Sequence, residues 1–269
     1  MQDEIVARIA NSLNAQLIAV EARRADRTPT PDSMDLYFQG MAWVNRGVTP
    51  ESMGKARGFF ERASALDPAN VDALVGLAMV DVNVAVGLST DDRTARFTAA
   101  EDAAAKALSL APDHAIAHLC MGMVLGFTNR AAQAVAESER AIALDRNLAG
   151  AHALIGQYKL FVSQGEESEA FVQEALRLSP RDPWVYTWGV IAGLAEIACG
   201  RSDNATSWLR RSIESNRNYP LCHLFSRLDW RMSLVWKKHG LRLPQDVLSM
   251  RTSASRNFIP PSGATTQSF

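Results

Sequence analysis

The sequence has no G-x-G-x-x-G or G-x-x-x-x-G-K-S/T phosphate loop, no H-E-x-x-H and no G-x-S-x-G. Phosphate cradling on such a loop, zinc proteolysis and nucleophile-elbow hydrolysis therefore lack their residues, and neither an enzyme nor a cofactor is expected. Cysteine is scarce: Cys120, Cys199 and Cys222 are odd in number and never spaced as C-x-x-C, which reads as reduced and mostly buried thiols. No run of 18 apolar residues occurs, so no membrane span is expected. The N-terminus shows no charged stretch followed by an apolar one, so no signal peptide is expected and the setting reads as cytoplasmic. Alternation of period two, the mark of a strand, is missing as well.

What is present is a repeat. The 269 residues are 47% hydrophobic and 21% charged, with a formal net charge of −1, and between Asp113 and Pro180 one unit occurs twice, 34 residues apart, without a gap. His118 returns as His152, Met121-Gly122 as Ile155-Gly156 and Ala141 as Ala175, and Ala-Leu-Ser-Leu-Ala-Pro at 107–112, just ahead of the unit, returns two periods later as Ala-Leu-Arg-Leu-Ser-Pro at 175–180. A fixed period of this length means stacked supersecondary units in place of one globular core.

Two helices fit in each unit. Residues 115–127 are apolar around nearly the whole circumference, with Ile116, Leu119, Met123 and Phe127 on one side and Met121, Gly122 and Leu125 beside them, so this helix is expected to have neighbours on both flanks. Residues 131–144 carry Ala134, Val135, Ala141, Ile142 and Leu144 on one stripe and Glu137, Glu139 and Arg140 on the other, the pattern of a helix facing water. Gly122 and Gly156 would each cost an exposed helix about 1 kcal/mol relative to alanine. In mid-helix they imply a partner backbone too close for a Cβ. Pro68, Pro112 and Pro180 stop the outer helices.

On these residues the chain resembles the tetratricopeptide-repeat (TPR) family, whose pattern has a large residue, Leu-Gly and an aromatic in the first helix and Ala, Phe and Pro in the second. The Gly, Ala and Pro places are kept here and the aromatic places are mostly substituted. The resemblance implies an all-α, right-handed α-solenoid of about five helix pairs with flanking helices.

In chain order, residues 1–27 read as an amphipathic N-terminal helix with Ile5, Ile9, Leu13, Leu17 and Val20 along the face expected to dock, and with Arg23, Arg24 and Arg27 at its C-terminal end. Residues 28–32 form a linker, and Thr30-Pro31 is expected to open the next helix as N-cap and first turn. Residues 33–220 are the repeats. Thr49-Pro50-Glu51 opens one helix, Ser89 and Asp92 are expected to cap another, and the spacing from Pro68 to Pro112 is 44 residues, ten more than the period. Residues 2–10 (Gln-Asp-Glu-Ile-Val-Ala-Arg-Ile-Ala) and 34–40 (Met-Asp-Leu-Tyr-Phe-Gln-Gly) resemble the junction between a TolB-like domain and TPRs in bacterial class III adenylate cyclase-like proteins. That resemblance runs to about Pro220 and implies a tail of such an architecture without its catalytic head.

After Pro220 the composition changes. Residues 221–269 hold seven Lys plus Arg, two Asp and no Glu, against 21 basic and 27 acidic residues before them. Leu221, Leu224, Phe225, Leu228, Met232 and Val235 keep a helical stripe, which predicts a capping helix over 221–243 and little order over 244–269. The step in composition is what an out-of-frame reading of a GC-rich gene would give; a genuine basic tail is the rival.

For function, His114 and His118 with Cys120 nearby could be drawn as a metal site, but the recurrence of His118 as His152 favours packing, and no metal is expected. Glu166, Glu167 and Glu169 read as a solvated turn. The residues expected to line a concave groove are Val75 and Met79, then Leu119, Met123 and Phe127, then Ala153, Gln157 and Phe161, then Trp184, Thr187 and Ile191. An apolar groove of this kind predicts a peptide or helix as partner, not a C-terminal carboxylate and not nucleic acid. On that reading, changing Phe127 and Phe161 to serine would leave stability nearly unaltered. The alternative is the regulatory tail of a cyclase-like signalling protein.

Overall fold

The computed structural model describes the backbone of residues 2–87 and 92–217, and side chains within those spans except at 2–12 and 15. Eleven helices occupy them: α1 (Gln2–Ala25), α2 (Ser33–Val44), α3 (Pro50–Leu66), α4 (Val71–Val86), α5 (Arg93–Leu110), α6 (Ala115–Phe127), α7 (Ala131–Leu144), α8 (Ala149–Phe161), α9 (Gly165–Leu178), α10 (Val185–Ala198) and α11 (Ser202–Ser215). No strand is present among the described residues. From α2 onward they form five antiparallel pairs, and each second helix also packs on the first helix of the next pair. First helices of neighbouring pairs touch one another, whereas second helices of neighbouring pairs do not. The even-numbered helices are therefore on the inside of the curve and the odd-numbered ones outside, as in an all-α solenoid. The expected capping helix at 221–243 and the tail beyond lie outside the described residues.

The same spacing packs every outer helix. Each buries residues at i, i+4 and i+7, such as Ala56, Phe60 and Ala63 in α3, Ala100, Ala104 and Ala107 in α5, Ala134, Ser138 and Ala141 in α7, and Ser168, Val172 and Ala175 in α9. Small side chains at these places let the paired helices approach until a Cβ on Gly122 would lie 2.9 Å from Ser138 Oγ, and one on Gly156 2.9 Å from the Ser168 carbonyl oxygen. The reading of both glycines as close-approach sites is thus met in the structure.

The ten extra residues between Pro68 and Pro112 have a definite place. α4 and α5 have 16 and 18 residues against 13 and 14 in α6 and α7, and their connection, 87–92, is three residues longer than 128–130.

Helix starts follow local capping chemistry. Thr49 caps α3 with Pro50 in its first turn, as the sequence implies. α2 starts later than expected: Asp32, not Thr30, is the N-cap, because Asp32 accepts from the Asp35 N–H while the Asp35 carboxylate accepts from Asp32 N–H, a reciprocal capping box. Asp92 is the N-cap of α5, accepting from Ala95 N–H; Ser89 lies outside the described residues. Glu166 and Glu167 sit in the first turn of α9, where the helix dipole favours them, and do not form a turn of their own.

Three successive inner-to-outer turns repeat one C-terminal cap. Arg130 N–H donates to Leu125 O, Gln164 N–H to Lys159 O and Arg201 N–H to Glu196 O, each at 2.8 Å, across a left-handed residue: Asn129 (φ 67°), Ser163 (φ 66°) and Gly200 (φ 74°). Serine is strained in this conformation and glycine is not. Ser163→Gly should therefore raise stability by about 0.5–1 kcal/mol, seen as a higher urea midpoint. An unchanged or lower midpoint would contradict it.

Charges also cross the array. The buried Asp81 of α4 accepts from Arg57 of α3 (2.5 Å) and Arg96 of α5 (2.9 Å), tying three helices together, and Arg130 grips Glu101 through two bonds of 2.7 and 2.8 Å.

α1 corrects the sequence reading of its face. It packs on α2 through Ile18, Ala22 and Ala25, the outer-helix spacing again, while Leu13, Leu17 and Val20 remain exposed. Small residues win because α2 approaches closely, held by Arg24 to Asp35 (2.9 Å) and Gln39 Nε2 to Asp26 (2.9 Å). α1 also touches α9, so the N-terminal end of the array curls toward its fourth pair.

Candidate functional site

The mid-helix glycines give each inner helix a common register, and equal offsets from them place side chains in equal directions. Leu119 and Met123 stand three before and one after Gly122; Ala153 and Gln157 stand likewise around Gly156. The same places hold Tyr37 and Met41 around Gly40, Ala73 and Leu77 around Gly76, and Tyr186 and Val190 around Gly189. Ala73, Ala153, Tyr186 and Val190 are buried, whereas Tyr37, Met41, Leu77, Leu119, Met123 and Gln157 are partly exposed.

Several residues expected in the groove belong elsewhere. Val75 is one before its glycine and is buried with Leu74, Ala78, Ala104, Ala117 and Cys120; Ile191 is two after its glycine and is buried with Ala149, Val172 and Trp188. Both pack between helices because the offset turns them away from the inner face. Met79 rests on two buried clusters, around Leu74 and around Phe60, and Thr187 donates from Oγ1 to Trp184 O at 2.7 Å.

Phe127 and Phe161 form an aromatic ladder. Phe127 stacks on Phe97 of α5 at a ring distance of 6.4 Å and meets Phe161 edge-on at 6.2 Å, and Phe161 lies 6.2 Å from Tyr158. The Tyr158 ring is buried so tightly against α6 that a Cβ on Gly126 would sit 2.1 Å from it. These rings join three pairs, so replacing Phe127 and Phe161 by serine should remove packing and lower the melting temperature, where free groove residues would leave it unaltered.

Trp184 was expected to face an open groove. Its ring instead packs against the buried cluster of Val44, Met53, Ala56, Phe60 and Val80, together with Tyr37, Met41, Leu77 and Met79. A side chain ahead of α10 thus reaches the first two pairs, in keeping with the contact of α1 with α9. The inner face is narrow, and Trp184 occupies part of it.

The polar candidates are engaged in structure. His114 caps α6, its Nδ1 accepting from Ala117 N–H at 3.1 Å, with Nε2 3.3 Å from Asp72. The ring of His118 lies between Glu137 (2.6 Å) and the Pro112 carbonyl (2.8 Å), and burial depresses the pKa of His152. Burial pushes the Cys120 thiol up to about 12, which keeps it an inert thiol. Burial also raises Tyr37, helped by the Asp72 carboxylate. Among the described residues no group of three or more His, Cys, Asp or Glu is disposed to hold a metal ion, and no helix is long and apolar enough to cross a membrane.

No family model matches the chain and no curated protein matches it. Solved structures do. A thermophilic TPR protein of Thermus thermophilus superposes with a TM-score of 0.57 at 15% identity, over 76% of this chain and 99% of that one. PilF of Pseudomonas aeruginosa gives 0.48 at 16% over 83% and 97%, and YrrB, a TPR protein with an unusual peptide-binding site, gives 0.43 at 17% over 73% and 93%. At 15% identity the likeness to the Thermus protein is one of fold alone, and that fold is the TPR-type α-solenoid.

Proposed function

We propose that the chain is a protein-interaction module that holds an apolar helix or peptide along Tyr37, Met41, Leu77, Leu119, Met123 and Gln157. The observation that carries this reading is that, on four successive inner helices, six of the eight places in one register (all but the buried Ala73 and Ala153) are partly exposed, five of them apolar and none charged. Such a strip suits the apolar face of a helix and has no cation for a terminal carboxylate. Binding, not catalysis, is the role, and the free Cys120 and Cys199 suit a reducing cytoplasm.

Selection of binders from a random peptide display library tests it. Selected peptides should be apolar, and Met123→Glu combined with Gln157→Lys should weaken them about tenfold or more while the melting temperature stays within about 2 °C. Peptides that bind the double variant equally well would end the reading.

A second reading makes the array the regulatory tail of a class III cyclase-like signalling protein of a bacterium. Its support is the wording of residues 2–10 and 34–40. The DNA upstream of the Met1 codon decides it: an in-frame TolB-like or cyclase domain supports the reading, and an unrelated gene ends it.

A further inference from the structure

Trp184 reaches the inner face through an irregularity at one helix start. The place five residues before the mid-helix glycine holds Ala117 in α6 and Ala151 in α8, both fully buried within the helix. Before Gly189 the same place holds Trp184. An indole is far too large for the space of a packed methyl group. α10 accordingly begins only at Val185, with Trp184 outside it as the N-cap. Asp182 fixes the turn, its carboxylate accepting from the Trp184 N–H at 2.9 Å, with Pro180 and Pro183 stiffening the chain on either side.

The ring joins two clusters that belong to different parts of the array. It packs with the one around Val172 and Trp188 in its own neighbourhood, and with the one around Phe60 in the first two pairs. In that second cluster Val44 and Val80 stand four residues after Gly40 and Gly76, and Met41 and Leu77 one after them, so α2 and α4 present the same apolar wall. Met41 and Leu77 are also members of the strip proposed to hold a partner. Among the described helices α10 comes close only to α8, α9 and α11, so the bridge to α2 and α4 is made by the side chain of Trp184. A solenoid is held by contacts between neighbouring pairs, and this long-range one is not needed to keep any pair together. The ring is partly exposed, unlike that of Trp188, which is 4% exposed. A half-buried side chain on a turn, seated on the wall of distant helices, is a contact that can be exchanged.

We propose that the wall formed by α2 and α4 is a pocket for an indole, filled by the chain's own Trp184 until a partner peptide presents a tryptophan that takes its place. This rests on the interaction role above and names the anchor of the partner. A pocket occupied from within lowers the apparent affinity of a partner by the fraction of molecules in which it stands open, so emptying it tightens binding. Indole itself should bind Trp184→Ala and shift the methyl resonances of Val44 and Val80, as small aromatics enter apolar cavities, and should bind the wild type about tenfold more weakly or less. Peptides selected on Trp184→Ala from a random display library should carry a tryptophan and bind that variant about tenfold or more tighter than the wild type. Changing their tryptophan to alanine should remove the difference. Trp184→Phe, which keeps an aromatic ring in place, should give intermediate affinities, and it carries the comparison with wild type if Trp184→Ala fails to fold. Selected peptides that lack tryptophan, or that bind wild type and variants equally, overturn the proposal and leave the interaction role standing. Weaker binding by the variants makes the ring a fixed strut and overturns it too. Absence of peptide binding by all three proteins ends the interaction role and the exchange with it.

Discussion

Phe60→Ala is expected to lower the unfolding free energy by about 3–5 kcal/mol, toward the upper end of what a buried phenylalanine gives. The ring is fully buried, and its surroundings cannot collapse to fill its place. It lies between two glycines: a Cβ on Gly40 of α2 would come within 2.4 Å of the ring and one on Gly76 of α4 within 2.6 Å. The two backbones are thus separated by the ring itself, with no Cβ at either glycine to fill its place. The corollary is a coupling. Gly40→Ala should be strongly destabilising alone and nearly harmless, or helpful, in the Phe60→Ala background, where its methyl enters the vacated space. Urea unfolding of the four proteins in this cycle measures it, and simple additivity would contradict the sandwich.

How far the sequence discloses the structure depends on whether information repeats. The bounds of α6 and α7 follow from the 34-residue period, since Gly122, Ala141 and the stops at Pro112 and Pro180 each recur, and Gly40 and Gly76 mark close approaches in the same way. The inner face of α4 and α10 is legible only from the glycine register: Val75 and Ile191 stand at other offsets from Gly76 and Gly189 than Leu119 and Met123 do from Gly122, and both are buried. The packing face of α1 is ambiguous in the sequence because two stripes, Leu13-Leu17-Val20 and Ile18-Ala22-Ala25, lie on one helix, and the one with larger side chains is the one left exposed. Close helix packing favours the smaller ones. Neither the reach of Trp184 to the Phe60 cluster nor the Phe97–Phe127–Phe161 ladder has a local signature, because both depend on how steeply the array curls.

Arg201→Ala is expected to cost about 1–3 kcal/mol: the Glu196 carboxylate is buried, but the Arg201 side chain is 41% exposed, so water offsets part of the loss. Glu196, fully buried in the last turns of α10, accepts from Arg201 through Nε (2.7 Å) and Nη2 (2.5 Å) and from Asn204 Nδ2 (2.9 Å). Arg201 is placed for this by the turn it belongs to, directly after the left-handed Gly200 and at the N-terminus of α11. Truncating it leaves a buried carboxylate with one amide donor. The hydrogen bonds from Arg201 hold the Glu196 carboxyl below its ordinary value, against the opposing effect of burial and with help from Asn204. A carboxyl whose folded pKa lies below its unfolded one, about 4.3, stabilises the protein above that pH and loses the contribution as pH falls through the folded value. The difference between wild type and Arg201→Ala should therefore be full at neutral pH and shrink on acidification below the unfolded pKa. Glu196→Gln, which keeps an acceptor but has no charge to titrate, should lose less than Arg201→Ala at neutral pH and show a flatter acid limb than wild type. Urea unfolding at neutral pH and below the unfolded pKa measures all three proteins. An Arg201→Ala penalty equal at both pH values would mean that the arginine acts through packing alone and that the buried carboxylate does not need its charge.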